Sequence, residues 1–440
     1  MKKFLLWLLL LVFLVACGGG ENTEDAAAPI ATSTAVVPVA TPTVLVPPTL
    51  PPPAVTDGGV TDAGGGDSGA AAVEPTPVVE VPLSPWPADA FGYGIQVHGI
   101  AGQGDLQAVV HAVDNQLGLD WVKVQLLWST VHPEPTADQW FFYDGIINDA
   151  YAEGLQLMVS VVGAPAWTRA AGNENGPPDD YNQYYAFLNE LLDRHPGKIQ
   201  AIEIWNEQNL DREWSGGLNP AGYVQFLSGA YQTIKAKDSN IIVISGALSP
   251  TGVHDPNRQT VMNDLIYLDE MLAAGVLNYA DCLGTHHNGY NLLPSTPWDQ
   301  TGSDPNAATA SFRGPFDGPH QSWSFFTTLD LYAQKVQAID PNKKLCLTEF
   351  GYASSENMSG RPQGFEYFDD NSEAEQAQYI VQAFQQMHDS GDVWLVFLFN
   401  FDFGNKSDPA TDDTAGYSII RQDGAPRPAF DAIANMPKPR

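Results

Sequence analysis

From Trp86 to the C-terminus, short apolar runs of five to eight residues alternate with longer amphipathic stretches. Runs of that length bounded by polar loops read as strands, and the stretches between them as helices. The spacing predicts strands at Gly92 to Val97, Trp121 to Leu126, Gln156 to Val162, Ala201 to Trp205, Ile241 to Ser245, Cys282 to Thr285, Lys344 to Thr348 and Trp394 to Phe399. Helix signals fall in the gaps. Asn219 followed by Pro220 has the character of an N-cap and first-turn pair. Ser372 with Glu375 forms a capping box before Ile380, Val381, Phe384 and Met387. Eight strand-helix units over about 350 residues match an α/β chain folded as a single (β/α)8 TIM barrel, in which functional residues gather where strands end. An open doubly wound sheet is the other α/β arrangement, but no glycine-rich phosphate turn follows the first strand to support it.

Two strand ends carry a glutamate. The run Ile202-Glu203-Ile204-Trp205 closes on Asn206-Glu207, and Leu345-Cys346-Leu347-Thr348 closes on Glu349, 142 residues later. Two carboxylates on separate strands of one sheet suit general acid/base chemistry on a sugar. An isolated glutamate at a strand end is ordinarily a solvated surface group. The order of the two motifs along the barrel is what raises the pair above that.

The first 85 residues have another character. Lys2 and Lys3 precede an apolar run from Phe4 to Val15, and Leu14-Val15-Ala16-Cys17 follows, a small-residue processing site ending in cysteine. This resembles the lipobox of bacterial lipoproteins. The resemblance implies a signal peptide over 1–17, acylation of Cys17, and export to the outer face of the cell membrane on a lipid anchor. Residues 18–85 are rich in Pro, Ala, Thr, Val and Gly and lack Lys and Arg, a composition that cannot build a packed core and reads as a disordered stalk. The folded domain is expected over 86–440. It holds 44 acidic residues against 18 Lys and Arg, a net of -26 within a total of -32. Such a surface repels polyanions, so nucleic acid is not an expected partner and a neutral substrate suits it better.

With the strands in place, Glu203-Ile204-Trp205-Asn206-Glu207 on the fourth and Thr348-Glu349-Phe350-Gly351 on the seventh resemble the retaining TIM-barrel glycosidases of glycoside hydrolase clan A, families 39 and 5 in particular. The resemblance covers 86–440. It implies that Glu207 is the acid/base, Glu349 the nucleophile and Asn206 a ligand of the sugar 2-hydroxyl. A neutral oligo- or polysaccharide would be the substrate, no cofactor would be needed, and the enzyme would act as a monomer. A transglycosylase would use the same pair, and a sugar-binding lipoprotein would use the same pocket without cutting.

Other positions follow from the same comparison. The segment Thr285-His286-His287-Asn288-Gly289-Tyr290 is similar to the clan's His-x-Tyr segment with a longer spacing, which implies that His286 and Tyr290 face the site and that Tyr290 keeps Glu349 ionised. Glu203 reads as scaffold, because a buried carboxylate needs a cation, and Lys123 is the candidate where clan members often carry arginine. The paired histidines also admit a metal, with His98 as third ligand. No His-x-His ends the first strand to support that, and no metal is assigned. Trp167, in a segment that resembles family 39, together with Trp128 and Trp323, offers stacking faces for sugar rings. The eighth strand ends Phe399-Asn400, where the clan commonly has tryptophan. The acidic loop after it, with Asp402, Asp408, Asp412 and Asp413, shows no spacing that specifies calcium. Finally, Cys282 and Cys346 fall on neighbouring strands. Alternation counted back from Glu349 and His286 puts them on opposite faces, so two buried thiols are expected rather than a bridge.

Overall fold

The computed structural model describes residues 85–440. The signal segment, Cys17 and the stalk expected from the sequence therefore lie outside the described residues. Eight strands form one all-parallel sheet: β1 Gly92–Gln96, β2 Trp121–Leu127, β3 Gln156–Val162, β4 Ala201–Ile204, β5 Ile242–Ser245, β6 Leu283–His286, β7 Leu345–Phe350 and β8 Val393–Leu398. Their order, β5-β4-β3-β2-β1-β8-β7-β6, places β5 and β6 at the two ends. A parallel bridge between Ile244 and Cys282 joins those ends, and the Gly284 amide donates to Ser245 Oγ at 2.9 Å. The closing seam is tight: a Cβ on Gly284 would stand 1.9 Å from the Ser245 carbonyl oxygen, so only glycine lets the strands approach. The result is the (β/α)8 barrel that the eightfold pattern predicts.

The helices form where the capping chemistry places them. Asn219 accepts from the Gly222 amide at the start of Pro220–Lys237, and Ser372 and Glu375 make the reciprocal box that opens Glu373–Ser390. Their apolar faces lie on the outside of the sheet, where Tyr184, Tyr223, Phe226 and Leu227 pack with Ile202 and Ile204 in the main core. Two of these tyrosines also hold the rim. Tyr184 donates to the Val161 carbonyl at 2.8 Å, which also accepts from the Trp205 amide, and Tyr223 donates to the Ile204 carbonyl at 2.9 Å.

Inside the barrel, a second cluster plugs the lower half: Trp121, Met158, Ala201, Ile242, Cys282, Cys346, Leu395 and Phe397. Cys282 and Cys346 are joined as a disulfide, with Cα atoms 5.8 Å apart. This corrects the expectation of two thiols facing opposite ways. The reason is a β-bulge. Between β6 and β7 the register runs Gly284 with Cys346 and Thr285 with Leu347, then jumps to His286 with Glu349, so Thr348 is an extra residue. The bulge resets the inward and outward alternation, and Cys346 faces the interior along with Glu349.

Candidate active site

The mouth of the barrel is built by a bent β4 end and a bulged β7 end. After Ile204 the backbone enters the left-handed region at Trp205 (φ 77°) and again at Glu207 (φ 44°), which non-glycine residues rarely adopt and which costs about 1–3 kcal/mol each. Several bonds hold the bend. The Glu207 amide donates to the Ala247 carbonyl at 2.8 Å, and Gln208 Nε2 donates to the Gly246 carbonyl at 2.7 Å. Asn209 Nδ2 donates to the carbonyls of Ser249 and Met262 at 2.9 and 3.0 Å. The Trp205 indole is buried and donates to the Glu213 carbonyl at 2.8 Å, so its ring anchors the loop from beneath. Asn206 is buried between these anchors, beside Glu207.

On β7 the bulge turns two successive side chains inward. Thr348 Oγ1 donates to Glu203 Oε1 at 2.7 Å. Lys123 Nζ donates to Glu349 Oε1 at 2.9 Å and to the Thr348 carbonyl at 3.0 Å. The same ammonium lies 3.7 Å from Glu203 Oε2, and both Lys123 and Glu203 are wholly buried. Glu203 also accepts from the Ala247 amide at 3.2 Å and from the Ser160 hydroxyl. It therefore has the cationic partner that the sequence implied. Lys123 holds two carboxylates at once, one structural and one at the mouth.

His286, at the end of β6, stands between the two mouth glutamates. Its Nδ1 is 3.3 Å from Glu207 Oε1 and 3.8 Å from Glu349 Oε2, so those two oxygens are at most about 7 Å apart. Burial works against charging this imidazole, but Glu349 and Glu207 outweigh it and raise its pKa. Glu207 is the counterpart: burial disfavours its anion, yet Arg212 and His286 pull the carboxyl down to about 2. A carboxylate pair this close, reached from the mouth and backed by a buried lysine, can supply a nucleophile and a proton donor to a group lying between them.

Arg212 is the residue at the mouth that the sequence reading passed over. Its Nη2 is paired with Glu207 Oε2, and its Nε lies 3.4 Å from Glu213 Oε1. Burial raises the Glu213 carboxyl to about 7, and the Asp413 carboxyl, on the loop after β8, is likewise raised to about 7. The charged triplet Asp211-Arg212-Glu213, only four residues past Glu207, is the signal that could have drawn attention to it.

The aromatic candidates separate. Trp167 is 38% exposed on the turn after β3, with Nε1 donating to the His132 carbonyl at 2.9 Å, and so presents a ring at the rim. Trp128 is 2% exposed and stacked on Phe187 with ring centroids 5.2 Å apart, which corrects its reading as a sugar platform: its faces are spent in the core. Trp323 is 5% exposed, packed edge-on against Tyr290 and bonded to the Gly318 carbonyl, and is likewise part of the loop's packing. Tyr290 is half-buried between Trp323 and Tyr367 and makes no hydrogen bond to Glu349; Lys123 is the residue that does. Asn400 is buried and bonds the Thr414 carbonyl and the Phe403 amide. The three histidines do not converge. His287 packs edge-on against Tyr332 and His98 lies against Phe403, while His286 faces the glutamates. Asp402 pairs with Lys406 and accepts from the His98 amide.

No protein-family profile matches the chain, and no curated protein matches it in sequence. Solved structures do match it in fold. A family 39 glycoside hydrolase from Bacteroides cellulosilyticus superposes with a TM-score of 0.56 at 18% identity, over 79% of this chain and 63% of that one. A glucosidase from Croceicoccus marinus gives 0.51 at 15% identity, over 80% of this chain and 68% of that one. A psychrophilic family 10 endo-β-1,4-xylanase gives 0.50 at 15% identity, over 79% of this chain and 98% of that one. The chain thus spans under two thirds of the family 39 protein's length, and what it shares with all three is the TIM-barrel fold.

Proposed function

We propose that the barrel is a retaining glycoside hydrolase acting on a neutral oligo- or polysaccharide. The observation that carries this reading is the placement of Glu207 and Glu349 at the ends of β4 and β7, both within 4 Å of His286 Nδ1. Retaining enzymes hold their two carboxyl groups about 5–5.5 Å apart and inverting ones about 6.5–9.5 Å, and the shared imidazole bounds this pair at about 7 Å, a span that accommodates the retaining distance. The fold neighbours support the class, being glycoside hydrolases themselves.

In this reading Glu349, its Oε1 held by Lys123, attacks the anomeric carbon with Oε2. The glycosidic C–O bond breaks as Glu207 gives its proton to the leaving oxygen, leaving a glycosyl ester on Glu349. Water then attacks the same carbon while Glu207, now a carboxylate, takes the water's proton, and the ester bond breaks to restore Glu349. Asn206, next to Glu207, is the ligand for the 2-hydroxyl, and Trp167 a stacking face at the rim. No cofactor takes part in these steps. The protein works as a monomer, exported and tethered through acylated Cys17, with no nucleic-acid partner; the lipobox-like segment supports the anchor, and the net charge the lack of a nucleic-acid partner.

The test is a panel of 4-nitrophenyl glycosides and polysaccharides offered to the folded protein, wild type and Glu349→Gln. Release of nitrophenol or reducing ends by the wild type alone supports the reading. Saturable sugar binding with no bond cleavage by either protein overturns it.

A further inference from the structure

Both oxygens of Glu207 are occupied. Oε1 faces His286 Nδ1 at 3.3 Å, and Oε2 is paired with Arg212 Nη2. A general acid must carry a proton on one of these oxygens and present it to the glycosidic oxygen, and a cationic partner on that oxygen opposes the proton unless it gives way. The two are not equally free to do so. The His286 side chain is 1% exposed, sits on the end of a barrel strand and is drawn toward Glu349 as well. The Arg212 side chain is 34% exposed on the loop after β4, and Glu213 stands beside its Nε, ready to keep its charge compensated if it swings.

We propose that Arg212 is a positioning residue that caps Glu207 in the empty enzyme and withdraws toward Glu213 when the leaving-group sugar enters. This rests on the reading of Glu207 as the acid/base. The cap has a chemical effect besides a steric one. In the empty site the guanidinium and His286 keep Glu207 ionised in spite of its burial. Once Arg212 leaves, burial and the neighbouring carboxylates act unopposed from that side and favour the proton that the first step needs. Substrate entry thereby arms the acid. The other charged groups around Glu207 are Glu349 on β7, Lys123 behind it on β2, Glu213 on the same loop and Asp413 on the loop after β8; Tyr290 is the nearest phenol. All but Lys123 and His286 are acidic or neutral, so Arg212 is the cation whose removal changes the balance most.

The experiment is a titration of the Glu207 carboxyl by carbon NMR of protein labelled at glutamate Cδ, the signal being identified by its loss in Glu207→Gln. In Arg212→Gln the midpoint should rise by about one to two pH units, and in Arg212→Lys by less. The basic limb of kcat/KM on whichever nitrophenyl glycoside is cleaved should move upward in step, since that limb reports the acid in the free enzyme. An unmoved midpoint in Arg212→Gln overturns the cap. A midpoint that moves while the basic limb stays fixed strikes instead at Glu207 as the acid. Should the Gln variant fail to fold, the Lys variant keeps the comparison, and a midpoint there equal to wild type in a protein whose crystal structure shows the pair broken overturns the proposal.

Discussion

Lys123 Nζ and Glu349 Oε1 are 2.9 Å apart in the interior of the barrel, and the lysine side chain is wholly buried. The same nitrogen serves Glu203, so the charge that orients the mouth carboxylate is also the one that neutralises the scaffold carboxylate. Replacing Lys123 with Met leaves two carboxylates without their cation, and should destabilise the fold by about 3–5 kcal/mol in urea unfolding. Combining it with Glu203→Met should recover part of that loss without restoring turnover, because an apolar pair packs where the ion pair was while Glu349 stays unheld.

Glu207→Ala should slow cleavage of substrates with poor leaving groups by about 10²–10⁴-fold. Activated aryl glycosides, which need little protonation, should lose less in the first step, and added azide should restore turnover by attacking the glycosyl ester in place of water, since an anionic nucleophile needs no base. Equal loss on good and poor leaving groups, with no azide rescue, would remove Glu207 from the acid/base role.

Trp128 and Trp167 touch edge to face, with centroids 6.1 Å apart, yet their truncation should differ. Trp128→Ala opens a hole beneath Phe187 and should cost about 3–5 kcal/mol of stability. Trp167→Ala removes an exposed ring and should leave the melting temperature near wild type while raising KM. Matching losses of stability in both would show that Trp167 is structural too.

Reduction of the Cys282–Cys346 bridge, or replacement of both by Ala, should lower stability by about 4 kcal/mol, the loop-closure value for residues 64 apart in sequence. Both sulfurs are buried in the plug of the barrel, so dithiothreitol should act only as the chain unfolds, which paired melts with and without reductant will read out.

Asp264, 2% exposed and accepting from Tyr332 Oη at 2.9 Å, has its carboxyl pushed up to about 6 by burial. Its ordinary value is near 4, so between those values the folded state holds a proton that the unfolded state has released. Stability from this group is fully present below about pH 4 and is lost as pH rises through 6, by up to about 3 kcal/mol. Asp264→Asn should therefore compare more favourably with wild type at pH 7 than at pH 4. A pH-independent difference between the two would contradict the assignment.

The barrel was legible because the strands are buried on both faces and announce themselves as mostly apolar runs; most strand ends fall within one residue of their expected places. The two glutamates and the Glu203–Lys123 pairing were legible for a related reason, since charges closing or interrupting such runs must be explained by a partner or by chemistry. What the sequence hid depends on geometry finer than the pattern. A one-residue bulge at Thr348 broke the alternation on which the cysteine expectation rested. Trp128 and Trp323 have the same letters as a rim platform, and only packing separates them from Trp167. Arg212 was in plain view, but nothing in its spacing tells that a loop folds it back onto Glu207.

The bulge at Thr348 also divides β7 into two stretches of opposite phase. Below it, Cys346 locks the strand to β6; above it, Glu349 is delivered to the mouth, and Thr348 between them ties the strand to Glu203. Because of this one residue, Cys346 in the plug and Glu349 at the mouth face the same interior although an odd number of positions separates them. Deleting it would restore simple alternation and leave the glutamate facing inward after Leu347, while removing the hydroxyl that ties the strand to Glu203.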